Sequence, residues 1–217
     1  MSTTTNQESV LYRLRQLAPR RPLTQAEAYR VTELQANRLL EWSGVDDAGT
    51  PSDIVSGLPF VEVALRRDLP VSGLTNWFKP RWLILLNSTE PAVRQRFSLM
   101  HEFKHIIDHE GIAYLYPANW LNDGNRRAEL VADYFAACLL MPKRLVKRCY
   151  GQGLHDVSEL AAAFGVSTVA MAVRLQQLRL VEPTPRCDHG YRPPGRATGY
   201  QRRAWSPDAL TALGAAA

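Results

Sequence analysis

The residues of this 217-residue chain that could do chemistry most directly lie at positions 101–105, which read His-Glu-Phe-Lys-His. In a helix, positions four apart lie on nearly the same face, so His101 and His105 can present two imidazoles to one metal ion. Glu102 lies one position further round, where its carboxylate can reach a water on that ion and act as a general base. This is the H-E-x-x-H pattern of zinc peptidases, and Glu102 is the predicted catalytic residue.

The sequence around this motif predicts that it lies on a largely buried helix. Apolar residues recur at helical spacing across the segment, namely Phe97, Met100, Phe103, Ile106 and Ile107. A buried pair of imidazoles beside a carboxylate needs partners, and a metal ion supplies them. The alternative, a solvated helix face that matches the pattern by chance, is disfavoured by this apolar face.

A zinc peptidase needs a third protein ligand, and a second strongly helical segment at 127–142 offers one. Glu129 follows His105 by 24 residues, which is enough for a loop and a returning helix. Alone it could simply favour the helix dipole, but beside H-E-x-x-H we predict that it is the third ligand. Asp133, one turn later, is predicted to accept the ring N–H of a ligand histidine. We expect one Zn²⁺ per chain, with Mn²⁺ as the alternative, because these donors suit several divalent ions.

Together, the two segments resemble the ImmA/IrrE family of bacterial and phage metallopeptidases. The likeness rests on 101–105 and on the residues from Glu129 to the Leu-Leu-Met-Pro run that ends at Pro142, and it extends over roughly 24–182. The Glu-x-x-x-Asp spacing is also similar to that of gluzincin peptidases. The resemblance implies a zincin-like fold and an endopeptidase of narrow range. Its implied substrate is a helix-turn-helix transcriptional repressor, whose cleavage derepresses genes after stress or prophage induction.

Lys104 departs from the family pattern, which usually has glycine at this position. We expect its side chain to extend outward or to place a cation near the metal, and the second arrangement would disfavour further positive charge there. Lys104 therefore keeps a second function open. In that alternative the chain is a non-catalytic metal-containing regulator or toxin–antitoxin component that binds protein or DNA.

Composition indicates a cytoplasmic protein without a membrane partner. No run approaches 18 consecutive apolar residues, and the polar N-terminus lacks the features of a signal peptide. Three cysteines, an odd number without framework spacing, favour a reducing compartment. The net charge of +5 is uneven, because residues 143–217 hold 11 basic and 5 acidic residues. The basic character thus belongs to the C-terminal third, where nucleic-acid contact and a soluble tail are both open.

The predicted fold is α+β, a mainly helical zincin-like domain with a small antiparallel sheet of about three strands. Four segments are expected: a flexible N-terminal arm over 1–22, the metallopeptidase domain over 23–150, a helix-turn-helix-like pair packed on it over 151–182, and a basic tail over 183–217 with a possible short terminal helix. The pair should have Ser167 as the N-cap of its second helix. The first residues of that helix, 168–172, include no Arg, Lys, Asn or Gln to read bases, so packing or partner binding is favoured over direct DNA binding.

Three strands are predicted ahead of the motif helix, at 60–65, 71–78 and 82–86. An edge strand beside a peptidase cleft can bind an extended substrate by β-augmentation. On this basis Leu83, Leu85 and Asn87 are the predicted substrate-binding residues.

Overall fold

The computed structural model describes residues 3–78, 80–117 and 124–182, with side chains from residue 10 onward. The predicted basic tail over 183–217 lies outside these residues. Within them, helices alternate with one small sheet in the order α1 (Thr3–Gln16), α2 (Gln25–Trp42), α3 (Asp53–Ser56), β1 (Val61–Arg66), β2 (Gly73–Phe78), β3 (Arg81–Asn87), α4 (Ala92–Asp108), α5 (Ile112–Leu115), α6 (Gly124–Leu140), α7 (Lys143–Gly151), α8 (Val157–Phe164) and α9 (Thr168–Gln177). The predicted α+β class is confirmed.

The three strands form a mixed sheet, so the prediction of an antiparallel sheet was wrong in one of its two pairings. Their order is β1-β3-β2, with β2 antiparallel and β1 parallel to β3. After β1 the chain passes to the opposite edge of the sheet, where it forms β2. A hairpin then leads back into β3, which lies between the other two strands. Alternating burial is the same in both kinds of pairing, so periodicity could not reveal the direction of β1.

Helix α4 carries the His-Glu-Phe-Lys-His motif through the centre of the core. Phe103 and Ile106 are fully buried, and the ring centroids of Phe103 and Phe135 of α6 lie 6.3 Å apart. Ala132 and Ala136 of α6 are also fully buried. Their small side chains let α4 and α6 approach closely, which fixes the distance between the two predicted ligand segments.

Residues 3–16 of the N-terminal segment form helix α1, so the expected flexible arm over 1–22 was wrong for this part of it. Leu14 of α1 is fully buried. The guanidinium of Arg15 donates to the carbonyls of Ile106 and Ile107, 3.0 and 3.2 Å away, near the C-terminal end of α4. These carbonyls lie in the last helical turn, where no intrahelical partner remains. Apolar residues at 10, 14 and 17 gave the helical spacing, but the polar start of the segment obscured it.

The helical pair at 157–177 is joined to the end of α6. Asp156 and Ser167 cap α8 and α9, and Gly165 ends α8 in the left-handed region at φ 61°. Arg174 is 1% exposed, and its Nε donates to the carbonyl of Met141 at 3.0 Å. This cation is therefore used for packing. No single helix among the described residues is long and apolar enough to cross a membrane, and α8 with α9 passes that test of length and composition only as a pair bent by 103°.

Lys104 lies in a buried polar network between α4 and α2. Its side chain is 1% exposed, and its Nζ donates to Asp108 at 2.6 Å and to Gln35 at 2.9 Å. Asp108 also accepts from the hydroxyl of Tyr116 at 2.8 Å. Burial lowers the pKa of Lys104, and the neighbouring Asp108 carboxylate opposes that shift. The expectation that Lys104 extends outward was wrong, because the core offers its charge a partner one turn along the same helix.

We predict that Lys104→Met lowers the free energy of unfolding by about 3 kcal/mol, because it leaves the buried Asp108 carboxylate without its counter-charge. Chemical denaturation measures the loss. The double variant Lys104→Met/Asp108→Asn should lose less than the two single variants together, since it removes both charges. Lys147→Met, on the exposed surface of α7, is the matched control and should change stability by no more than about 0.5 kcal/mol. Equal effects of the two lysine substitutions would contradict the pairing.

Candidate metal centre

Three side chains from two helices converge at one point. His101 and His105 project from successive turns of α4, and Glu129 projects from the first half of α6. One donor atom from each lies within 4.8 Å of the other two. The two Nε2 atoms are 3.1 Å apart, and the Glu129 carboxylate lies 3.1 Å from His101 Nε2 and 3.4 Å from His105 Nε2. The sequence predicted these three residues as ligands, and the structure brings all three together.

These separations suit a common divalent ion. Two nitrogens that each lie about 2.1 Å from a tetrahedral zinc ion are about 3.4 Å apart. Both histidines are only 5% exposed, so the pair of nitrogens has little access to bulk water. Two imidazoles and a carboxylate match the donor set of catalytic zinc sites, which leave a fourth position open. The cluster could therefore hold a metal ion.

Asp133 lies one turn beyond Glu129 and contacts the other nitrogen of His101. The distance from His101 Nδ1 to Asp133 Oδ1 is 2.9 Å, so the ring donates its Nδ1 proton to this carboxylate. When the ring is neutral, that hydrogen bond fixes the tautomer in which Nε2 carries a lone pair aimed at the cluster, as ligand histidines require. The sequence predicted this contact, and its role beside a bound metal stays a prediction.

The charges in the cluster favour a proton on His101 in the apoprotein. Burial acts against a charged ring, but hydrogen bonds to Asp133 and Glu129 outweigh it and raise the pKa of His101 to about 9. Burial likewise acts against the Glu129 carboxylate, yet its hydrogen bonds to His101 and His105 lower its pKa to about 2. At neutral pH a proton therefore occupies the place that a cation would take, and a metal ion must displace it.

Glu102 is 2% exposed, and its two carboxylate oxygens have different surroundings. Oε2 accepts a hydrogen bond from the hydroxyl of Thr75 on β2 at 2.6 Å. Oε1 is buried and has no hydrogen-bond partner within the described residues. A buried carboxylate oxygen left in this way needs a polar partner, and a water molecule is the simplest one.

Strand β2 approaches Glu102 closely at position 73, where a side chain would crowd the carboxylate. A Cβ at Gly73 would lie 3.0 Å from Glu102 Cγ and 3.1 Å from Oε1. The sequence alone did not identify Gly73 or Thr75 as parts of the site. A glycine inside a strand is a signal for close approach of another group, and it could have drawn attention to β2.

The predicted substrate-binding residues Leu83, Leu85 and Asn87 lie on the central strand. The backbone of β3 pairs with β1 on one side and with β2 on the other along its length. It therefore has no free edge to which an extended peptide could add, so these three residues cannot bind a substrate by β-augmentation. Asn87 also uses its side chain locally, donating to the carbonyl of Leu69 at 3.1 Å. Among the described residues, the edge beside Glu102 belongs to β2.

Comparison with known proteins identifies the domain. Residues 65–176, just over half of the chain, match the peptidase M78 family model, described as the IrrE N-terminal-like domain. This match extends from β1 into α9, so the helical pair lies within the matched domain. No curated protein matches the chain.

One similar solved structure is described as a Mycobacterium tuberculosis transcriptional regulator. It matches with a TM-score of 0.55 and 19% sequence identity over 71% of this chain. The chain spans 48% of the length of that protein, and at this identity the likeness shows the fold alone. The family match, by contrast, covers the whole H-E-x-x-H helix and Glu129, and it confirms the resemblance to ImmA/IrrE metallopeptidases. The chain belongs to the M78 family of peptidases.

Proposed function

We propose that this chain is a metal-dependent endopeptidase in which His101, His105 and Glu129 hold one Zn²⁺ ion and Glu102 is the general base. Mn²⁺ is the alternative ion, because the same donors accept it. The observation that carries this proposal is the hydrogen bonding of the Glu102 carboxylate beside the cluster. One of its oxygens is held by Thr75, and the other is buried without a partner within the described residues.

The roles of the protein groups follow from these contacts. A divalent ion at the cluster would supply Lewis acidity, lowering the pKa of water and polarising the scissile carbonyl. Glu102 Oε1 takes the proton from the attacking water, while the hydroxyl of Thr75 holds Oε2 and so orients the carboxylate. Glu102 then gives this proton to the nitrogen of the departing amine as the C–N bond breaks. Asp133 keeps His101 in the tautomer that the ion needs.

We further propose that the substrate binds as an extended strand along β2. Among the described residues no strand pairs with the other edge of β2, and this is the edge along which we propose that the substrate backbone adds. Gly73 and Thr75 bring that edge against the Glu102 side chain. A peptide added there would lie beside the general base and the three ligands, which is the role that the sequence had suggested for Leu83, Leu85 and Asn87.

The proposed substrate is a protein, specifically a helix-turn-helix transcriptional repressor in the cytoplasm. Family membership supports a protein substrate, and the resemblance to ImmA/IrrE peptidases implies the repressor. The similar solved structure is named as a transcriptional regulator, which agrees with a role in gene control. Direct DNA binding remains disfavoured, because Arg174, the basic residue within α9, is buried against α6.

The alternative of a non-catalytic regulator or toxin–antitoxin component depended on a cation from Lys104 near the metal. The Lys104 ammonium is instead engaged by Asp108 and Gln35 in the core. This neutralising partner removes the reason to expect an impaired site, so we favour the enzyme.

We expect Glu102→Gln to keep its metal and to lose cleavage by at least about 100-fold, since general-base catalysis contributes at least that much. Candidate repressors encoded near this gene serve as substrates, with cleavage followed by gel electrophoresis and metal content measured after dialysis. Glu110→Gln, at an exposed position in the turn that follows this helix, is the control and should cleave normally. Wild-type rates in the metal-loaded Glu102→Gln protein would refute the proposed mechanism.

Metal binding should release close to one proton from His101 at pH 7.5, because the pKa of this ring is about 9 in the apoprotein. Below pH 9 the proton competes with the ion, so metal affinity should fall as the pH is lowered. Asp133→Asn removes a carboxylate that raises the pKa of His101, and should therefore reduce the number of protons released. Calorimetric titration with Zn²⁺ in two buffers of different ionisation enthalpy measures this number.

Asp47→Asn is the control for this titration, since Asp47 is an exposed residue that pairs with Arg148. It should release as many protons as the wild-type protein. Zinc binding to the wild-type protein without proton release at pH 7.5 would contradict the hydrogen-bonded arrangement of His101.

A further inference from the structure

We propose that Trp77, Trp82 and His109 form a subsite that takes a large apolar side chain of the substrate. This inference rests on the proposed function, because it gives that peptidase a sequence preference. The subsite lies beside the edge of β2, next to the C-terminal end of α4. Its expected ligand is an aromatic or long aliphatic side chain in the extended peptide that is cut.

The three rings form one continuous aromatic cluster. The ring centroids of Trp77 and Trp82 lie 5.0 Å apart, and those of Trp82 and His109 lie 4.7 Å apart in an edge-on arrangement. Trp82 is only 7% exposed and forms the base of the cluster. Trp77 is 43% exposed and offers ring surface to a ligand, and His109 beside Trp82 is also an exposed residue.

Strand geometry aligns this cluster with the reacting groups. Gly73, Thr75 and Trp77 occupy alternate positions of β2, so their side-chain positions lie on one face of the strand. Thr75 contacts Glu102, and Trp77 follows it by about 6.8 Å along the strand. A peptide paired with β2 would therefore place one side chain near Thr75, and the side chain two residues away near Trp77.

Helix geometry brings the third ring to the same place. His109 follows His105 by one turn, about 6 Å along the axis of α4, and stands at the C-cap of that helix. The cluster thus lies one turn of helix, and two residues of strand, beyond the groups that would cut the peptide bond. This distance is that of a neighbouring substrate residue rather than of the scissile bond itself.

The chemistry of the walls selects an apolar group. Two of the three rings are indoles, and an aromatic or aliphatic side chain packed against them would cover the exposed surface of Trp77. An acidic side chain would lose water without gaining a cation from the two indoles. Indole faces also attract cations, so Lys and Arg are the competing ligands that the experiment must separate.

The test is an internal competition between peptides cut by the full-length, zinc-loaded protein. A degenerate decapeptide library is digested, and cleavage sites are mapped by mass spectrometry. Paired peptides with Phe, Leu, Ala, Lys or Glu two residues from the scissile bond, on either side of it, are then cut in one mixture. The ratio of their kcat/KM values does not depend on the fraction of active enzyme, so partial misfolding of a variant cannot produce the result.

For the wild-type protein we expect Phe or Leu to be preferred over Ala and Glu by about tenfold or more at one of these two positions. Trp77→Ala should bring this ratio close to one, and Trp77→Phe should retain most of it. Phe78→Ala is the matched control, because Phe78 is an exposed aromatic residue of the same strand whose position lies on the opposite face. An unchanged ratio in Trp77→Ala, or an equal loss in Phe78→Ala, would overturn the subsite, and so would a preference for Lys.

Failure of the subsite and failure of the proposed function give different results. The same peptides are also tested for binding to zinc-loaded Glu102→Gln protein by affinity selection, which requires no turnover. Binding that prefers Phe or Leu and depends on Trp77, without cleavage by the wild-type protein, would support the subsite and contradict the peptidase. Cleavage that is lost in Glu102→Gln, but whose preference among the peptides is unchanged in Trp77→Ala, would support the peptidase and contradict the subsite. Absence of both binding and cleavage would contradict both.

Discussion

The burial of charged and polar side chains along α4 is the constraint on which the rest of this structure depends. Eight consecutive residues from His101 to Asp108 are buried, and five of them are polar or ionisable. A core helix can carry such groups only if each charge finds a partner without water. Different neighbours of α4 meet this requirement. Glu129 and Asp133 of α6 serve the histidines, β2 serves Glu102, and α2 shares in the network around Lys104.

Because α6, β2 and α2 each supply partners for the buried groups of α4, these elements all contact that helix. The alanines of α6 bring Glu129 within reach of both imidazoles, and the glycine at position 73 lets β2 lie against Glu102. Arg15 of α1 donates hydrogen bonds to carbonyls of the last turn of α4. More distant elements are attached to the same frame. Arg174 joins α9 to the end of α6, and Arg96 of α4 donates to the carbonyl of Gly165 after α8 at 2.6 Å.

The same constraint bears on function. Two imidazoles and a carboxylate lie close together in the apoprotein, where hydrogen bonds to Asp133 and Glu129 raise the pKa of His101. If this group holds a metal ion as proposed, its ligands are already placed and would lose little conformational freedom on binding. In the proposed function, the substrate would bind along the edge of β2 and against the aromatic cluster around Trp82.

The sequence by itself determined the local parts of this protein. Helical spacing predicted His101 and His105 on one face of a helix, and Ser167 was predicted as the N-cap of α9, where the structure has it. Glu129 and Asp133 could be predicted as neighbours of the histidines because each pair of residues lies one turn apart on its own helix. Their carboxylates are also the donor type that a zinc site uses beside two imidazoles. Such features depend on residues within a few turns of one another, and a periodic pattern records them directly.

Only the tertiary structure decided which strand is central and which partner each buried charge meets. In the strand order β1-β3-β2, the strand with Leu83, Leu85 and Asn87 is central and has no free edge, and β2 is the strand beside Glu102. From the sequence, Lys104 was expected to be exposed or to disturb the metal site. In the structure its ammonium donates to Asp108 and to Gln35, which is 69 residues away in sequence. Strand order and the pairing of buried charges are set by packing between distant segments, and a pattern within one segment contains no information about the segment it will face.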